Sequence, residues 1–320
     1  GQLQNALSET TQMLERFPNS VVLYNIAGAS NAGLMQFDAA IACYKKALKI
    51  KPDYADAYNN MGIALNDKGD SEAAIKSYKQ AVKIKPDYAD AYNNMGVALE
   101  DKGDSEAAIQ SYKQALKIKP DYAEAYNNIG NALQDKGDLE AAIESFKKAL
   151  KIKPDYAEAY DNMGTALNNK GDSEAAIESY EEALKIKPDY VATYNNMGVA
   201  LKDKGDLDAA IDSYKQALKI KPDYAEAYSN MGIALRDKGD LEAAIESFKK
   251  ALKIKPDFAE AYNNMGTALK EVRFTKPNPG LMETIVSLLD QRTYCRPRDI
   301  DQAAISLLKL EPTLKELLEK

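Results

Sequence analysis

Seven asparagines recur at one fixed interval: Asn60, Asn94, Asn128, Asn162, Asn196, Asn230 and Asn264, each 34 residues after the last. A neighbouring column holds Asn25, Asn59, Asn93, Asn127, Asn195 and Asn263, interrupted by Asp161 and Ser229. Asn is a mediocre helix former, so its repetition at a non-core position needs a reason other than helix stability. A carboxamide carries one acceptor and two donors on a short stem. A ladder of them at regular spacing predicts hydrogen bonds to the N–H and C=O groups of an extended chain, largely regardless of that chain's side chains. The competing explanations are that the amides bond across to neighbouring helices, or that repeat duplication copied them without selection.

Beside the ladder lies a column of Ile63, Val97, Asn131, Thr165, Val199, Ile233 and Thr267. Its apolar ends predict two shallow side-chain pockets, at Ile63 and Val97 and at Val199 and Ile233. Three residues further on, the column reads Asn66, Glu100, Gln134, Asn168, Lys202, Arg236 and Lys270. The shift toward cations predicts that Lys202, Arg236 and Lys270 receive the acidic end of a ligand; ordinary surface drift predicts the same pattern. Other positions nearby are acidic, Asp56, Asp90, Glu124, Glu158, Glu226 and Glu260 among them. Lys79, Lys83, Lys85 and their equivalents read as a solvated basic ridge.

Catalytic inventories are nearly empty. The 320 residues hold no His and two Cys, Cys43 and Cys295. That removes Ser-His-Asp and Cys-His catalysis, HExxH sites and histidine-bearing or Cys₄ zinc sites. No phosphate-binding glycine loop occurs. Asp67, Asp70 and Glu72 gather around a glycine turn without the order or distal bidentate Glu of a calcium loop. The reading is of a non-enzyme with no metal and no cofactor. A net charge of −7 argues against nucleic acid. No apolar run approaches the ~18 residues of a membrane span. The sparse thiols point to a reducing, cytoplasmic compartment.

The elements that must position these columns follow from the same period. Pro52, Pro86, Pro120, Pro154, Pro188, Pro222 and Pro256 divide the chain into seven 34-residue units covering residues 21–258. In the unit 55–88, Ala57, Tyr58, Met61, Ala64 and Leu65 form one helical stripe, and Ala73, Ala74, Ile75, Tyr78, Ala81, Val82 and Ile84 form a second. Gly69 supplies the turn, Asp70 caps the second helix and Pro86 stops it. Asp53, with Asp56 three residues on, is expected to cap the first. Helices of about 12–14 residues are marginal alone, so stacking must stabilise them. Gly62 and Ala74 allow close helix approach, and Tyr58 and Tyr78 fill the space between. A 34-residue two-helix period predicts an all-α solenoid.

These residues resemble the tetratricopeptide-repeat family: its pattern of aromatic, apolar residue, Gly, large residue, Ala, aromatic, Ala and Pro reads here as Tyr58, Met61, Gly62, Leu65, Ala74, Tyr78, Ala81 and Pro86. The unit 21–54 departs most, with Met35-Gln36 replacing Gly-Asp. The resemblance implies a right-handed superhelix whose first helices line the concave surface. The AYNN-type motifs are also similar to the superhelical domain of O-linked N-acetylglucosamine transferase. Residues 1–20 read as a partial repeat (second helix only) and 259–274 as a partial repeat (first helix). Residues 275–320 read as a helical capping tail or a lead-in to a further domain.

The expected function is a non-catalytic scaffold that binds an extended polypeptide in the concave groove. Two alternatives stand beside it. One is the substrate-presenting arm of a larger transferase. The other is an array that self-associates through its exposed terminal half-repeat.

Overall fold

A computed structural model describes residues 1–271, which form sixteen α-helices and, among the described residues, no strand. In order they are α1 (Gln2–Arg16), α2 (Val21–Gly33), α3 (Phe37–Ile50), α4 (Ala55–Asp67), α5 (Ser71–Ile84), α6 (Ala89–Asp101), α7 (Ser105–Ile118) and α8 (Ala123–Asp135). There follow α9 (Leu139–Ile152), α10 (Ala157–Asn169), α11 (Ser173–Ile186), α12 (Val191–Lys204), α13 (Leu207–Ile220), α14 (Ala225–Lys238), α15 (Leu241–Ile254) and α16 (Ala259–Glu271). The tail expected over 275–320 lies outside the described residues.

The helices belong to two compact units, Gly1–Ala166 and the part from Leu167 onward. Within the first, each of α2, α4, α6 and α8 packs along the helix that follows it, and the same holds for α12 and α14 in the second. First helices of neighbouring repeats also touch one another, α2 with α4, α4 with α6 and α6 with α8, and likewise α12 with α14 and α14 with α16. Second helices of neighbouring repeats stand further apart. Within each unit the first helices therefore form the inner wall, a conclusion that spacing in the sequence alone does not reach.

Each helix pair closes over a ring set on a glycine. A Cβ on Gly62 would lie 2.5 Å from Cε1 of Tyr78, and one on Gly96 would lie 2.4 Å from Cε1 of Tyr112. Tyr78 and Tyr112 are buried, as are Ala74 and Ala81 around Tyr78. Burying such a ring contributes on the order of 2–3 kcal/mol, which short isolated helices lack. The phenol of Tyr44, the counterpart ring in the first full repeat, has its pKa pushed up to about 12, chiefly by burial and further by nearby Cys43.

The turns follow the sequence reading with two departures. Gly69 takes the left-handed backbone at φ +91°, and Asp70 Oδ1 accepts from the Ala73 N–H at 3.0 Å, capping α5. Met35 occupies the same left-handed turn at φ 59° without being Gly; the two-helix topology there overrides the residue's preference. The cap expected of Asp53 does not form. Tyr54 is the N-cap residue of α4 and no side chain closes that end. Asp53 sits one residue too early, and Asp56 is used elsewhere, as described next.

Candidate functional site

The two asparagine columns meet. Asn60 Nδ2 donates to Asn25 Oδ1 at 3.2 Å, Asn94 to Asn59 at 3.1 Å, Asn128 to Asn93 at 3.2 Å and Asn162 to Asn127 at 3.0 Å. In the second unit Asn230 donates to Asn195 at 2.9 Å. Each bond spans 35 residues, from one column of a repeat to the other column of the repeat before it. Asn59, Asn93, Asn127 and Asn195 are buried, while their donors are half-buried at the inner wall. One N–H of these amides thus serves the stack, the arrangement that the inter-helix explanation predicts. The second N–H and Oδ1 of Asn94, Asn128, Asn162 and Asn230 have no partner among the described residues. Asn60 Oδ1 accepts from Asn59 Nδ2 at 3.3 Å, and Asn196 is also engaged within the chain.

The interruption at Ser229 breaks the pattern. Asn264 Nδ2 would find its acceptor there, but serine is one carbon and one carbonyl too short. Both Asn264 Nδ2 and Ser229 Oγ are buried without a partner, a cost of about 1–3 kcal/mol for each group so left.

The apolar positions expected to line pockets also belong to the core. Val97 packs against Ala108, Tyr112 and Ile129, Val199 against the cluster of Ala210, Ile211 and Tyr214, and Ile233 against the cluster around Phe248. Ile63 is the exposed member. These side chains serve core and wall at once, because a position beside the wall is also beside the partner helix.

The cations expected to anchor an acidic ligand end have partners already. Lys202 Nζ lies 2.8 Å from Asp203 Oδ1, and the Arg236 guanidinium reaches Asp237 Oδ1 through Nη2 at 2.8 Å and Nε at 3.2 Å. Lys270 is exposed and is also engaged within the chain. In the first unit the same column does otherwise. Asn66 Nδ2 donates to Asp101 at 2.6 Å, and Glu100 accepts from the Tyr112 hydroxyl. Burial, and then Asp135 and Asp101, push the Glu100 carboxyl above its ordinary range, against the pull of the Tyr112 bond.

A second seam lies at the start of the first helices, and it corrects the reading of Lys85 and its equivalents as part of a purely solvated ridge: their ammonium groups sit over tyrosine rings. Lys85 Nζ sits 4.5 Å from the centroid of the Tyr88 ring, Lys119 4.2 Å from Tyr122 and Lys153 4.4 Å from Tyr156. The carboxylate of Asp56, at the start of the previous first helix, acts on the Tyr88 hydroxyl, and that of Asp90 acts on the Tyr122 hydroxyl. Burial first, then those carboxylates, raises both phenols well above the usual tyrosine range. The recurring Lys-Pro-Asp-Tyr string was the available signal. Among the described residues no group of His, Cys, Asp and Glu could hold a metal ion, and no helix is long and apolar enough to cross a membrane.

Known proteins match this architecture. The family described as "TPR repeat" matches residues 36–69, 64–103, 100–137, 200–235 and 232–272, and "Tetratricopeptide repeat" matches residues 121–189. Among curated proteins none matches the chain. Among solved structures, the APC/C hetero-tetramer Cut9–Hcn1 is similar with a TM-score of 0.64 at 20% identity, covering 83% of this chain and 52% of that one. The chain thus spans about half the length of that relative. Pseudomonas aeruginosa pilF is similar with a TM-score of 0.57 at 20% identity, covering 65% of this chain and 94% of that one. At that identity the two structures speak to the fold, and the matched repeats speak to the family: the chain belongs to the tetratricopeptide-repeat family.

Proposed function

We propose that this scaffold for protein–protein contact holds an extended polypeptide segment along the first-helix wall within a unit, through that unit's part of the asparagine ladder. One observation carries the reading. The amides of Asn94, Asn128, Asn162 and Asn230 are each oriented by a bond to the repeat before, yet keep an acceptor and a donor without a partner among the described residues. Side chains fixed in this way lose little further rotamer freedom on binding, which lowers the entropic cost of each contact. Each net hydrogen bond contributes only ~0.5–1.5 kcal/mol, so several repeats must act together. Ordering a flexible ligand opposes that gain, so affinity in the micromolar range is expected. Ile63 and the flanks of Val97, Val199 and Ile233 supply apolar contact, and the described residues hold a partner rather than turn over a substrate.

The test separates the ladder from the stack. Replace Asn94, Asn128 and Asn162 by Ala and measure binding to an immobilised array of random 12-residue peptides. Loss of three bonds predicts a weakening of about tenfold or more. Asn93→Ala removes the buried acceptor that orients one rung, Asn128, but keeps all three wall amides, so it should lower thermal stability and weaken binding much less than the triple variant. Equal binding by the triple variant and the parent chain would exclude the ladder.

A further inference from the structure

The first helices α4, α6 and α8 of the first unit carry carboxylates that, one aside, have no ion pair among the described residues. Together α4, α6 and α8 hold seven carboxylates and no Lys or Arg. Of the seven, Glu124 is the one with an ion pair among the described residues, to Lys153 at 3.7 Å. The lysines of the flanking turns look away from this wall: Lys68 pairs with Asp38 and Lys136 with Glu106, both on second helices. The second unit differs. There Asp203 meets Lys202 and Asp237 meets Arg236, cations that α4, α6 and α8 lack.

A separate observation concerns acceptors. In the column centred on Glu100, the Oδ1 of Asn66 and the Oε1 of Gln134 are buried with no donor. Oxygens in that state are costly and call for an N–H or O–H from outside. Glu100, next in the same column, has its proton affinity raised first by burial and, against the pull of its Tyr112 bond, by the charges of Asp135 and Asp101. Two repeats thus hold oxygens in want of donors, on either side of one whose Glu100 carboxylate has a hydroxyl donor but no cation.

We infer that the first-helix wall of the unit Gly1–Ala166 is a docking surface for a basic extended segment, with Lys or Arg side chains reaching Glu100, Asp135 and Asp67. This rests on the extended-segment reading above and names the ligand's chemistry. A main chain lying on the amide ladder sends alternate side chains along the wall, about 6.5–7 Å apart in an extended strand. Long cationic side chains can span the remaining distance to the next repeat's carboxylate. Bound ammonium or guanidinium groups supply donors to Asn66 and Gln134 as well as charge to Glu100, and an acidic segment is repelled.

The experiment uses three fluorescent 12-residue Gly/Ser peptides bearing four Lys, four Glu or no charge, titrated into the full chain by anisotropy at 50 and 200 mM salt. The Lys peptide should bind at least tenfold tighter than the neutral one, with the advantage shrinking at higher salt, and the Glu peptide most weakly. Glu100→Gln with Asp135→Asn should weaken the Lys peptide at least fivefold and leave the neutral peptide unchanged. Asp38→Asn with Glu106→Gln changes net charge equally on second helices and should weaken neither. Equal affinity for Lys and neutral peptides overturns the inference and leaves the ladder standing. An equal loss in the second-helix control overturns it too, because net charge rather than this wall then attracts the peptide. A Lys peptide that ignores Asn128→Ala, yet responds to Glu100→Gln, overturns the ladder instead. Should the wall variant misfold by circular dichroism, the parent chain's ranking of the three peptides at the two salt concentrations decides alone.

Discussion

In the unit Gly1–Ala166, Glu100 has no cation and feels the negative charges of Asp135 and Asp101, while from Leu167 onward Lys202 and Arg236 meet Asp203 and Asp237 at the same column of the repeat. The rungs differ in the opposite sense. The four described in the first unit are all closed, whereas the second unit has one closed at Asn230 and one open at Asn264. The first unit is therefore well ordered in its amides and left unbalanced in its charge, and the second is balanced in charge and imperfect in its amides. Repeats that share a core pattern can divide stability and recognition between them, because the column of Glu100, Lys202 and Arg236 varies while the glycine and ring positions of the core do not.

Several substitutions break or sharpen that contrast. The largest effect belongs to what the units share. Gly96→Ala drives a methyl into the Tyr112 ring and Gly232→Ala one into the Phe248 ring, with contacts of 2.4 and 2.7 Å to the respective Cε1 atoms. Each should cost about 2–3 kcal/mol, read as a fall in the denaturation midpoint. A loss in one unit alone would show that the cores themselves differ. Ser229→Asn should close the open rung and stabilise the second unit by about 1–2 kcal/mol in urea denaturation; no gain would mean that the unpaired groups are satisfied some other way. Met35→Gly relieves a left-handed non-glycine residue and should add about 1 kcal/mol.

The smallest expected effect is Glu100→Gln, with a sign fixed by pH. The folded-state pKa of Glu100 is raised, so its ionised form disfavours the fold above that pKa, and the penalty disappears as pH falls through it. The variant should be more stable than the parent at neutral pH by less than about 1 kcal/mol, given the group's partial exposure, and the difference should close in acid. A gap that widens on acidification would show Glu100 to be stabilised by its setting.

The period of Pro52 to Pro256 and the Gly62–Ala74–Tyr78 pattern made the helix pairs legible, because close packing permits few residue types at a contact. The column of Asn60 was legible as unusual. Its bond was not, since the partner stands 35 residues back in a different column and one-column periodicity cannot reveal it. The capping role expected of Asp53 failed for a local reason: Tyr54 holds the N-cap position, and its ring belongs to the seam with the lysine three residues before it, Lys51, at 5.5 Å from the centroid. Likewise the cations at 202 and 236 looked available in a column read down the array, and only the adjacent carboxylates, read along the helix, show them engaged.

The rung bonds couple recognition to mechanics. Asn128 orients its amide by gripping Asn93 of the previous repeat, so a guest that pulls on that amide also pulls on the joint between two repeats. A guest that adds to the bond should stiffen the joint against twisting, and one that steals its donor should slacken it. Occupancy at the wall would then be felt as a change in torsional compliance along neighbouring repeats, with no second site and no moving lid.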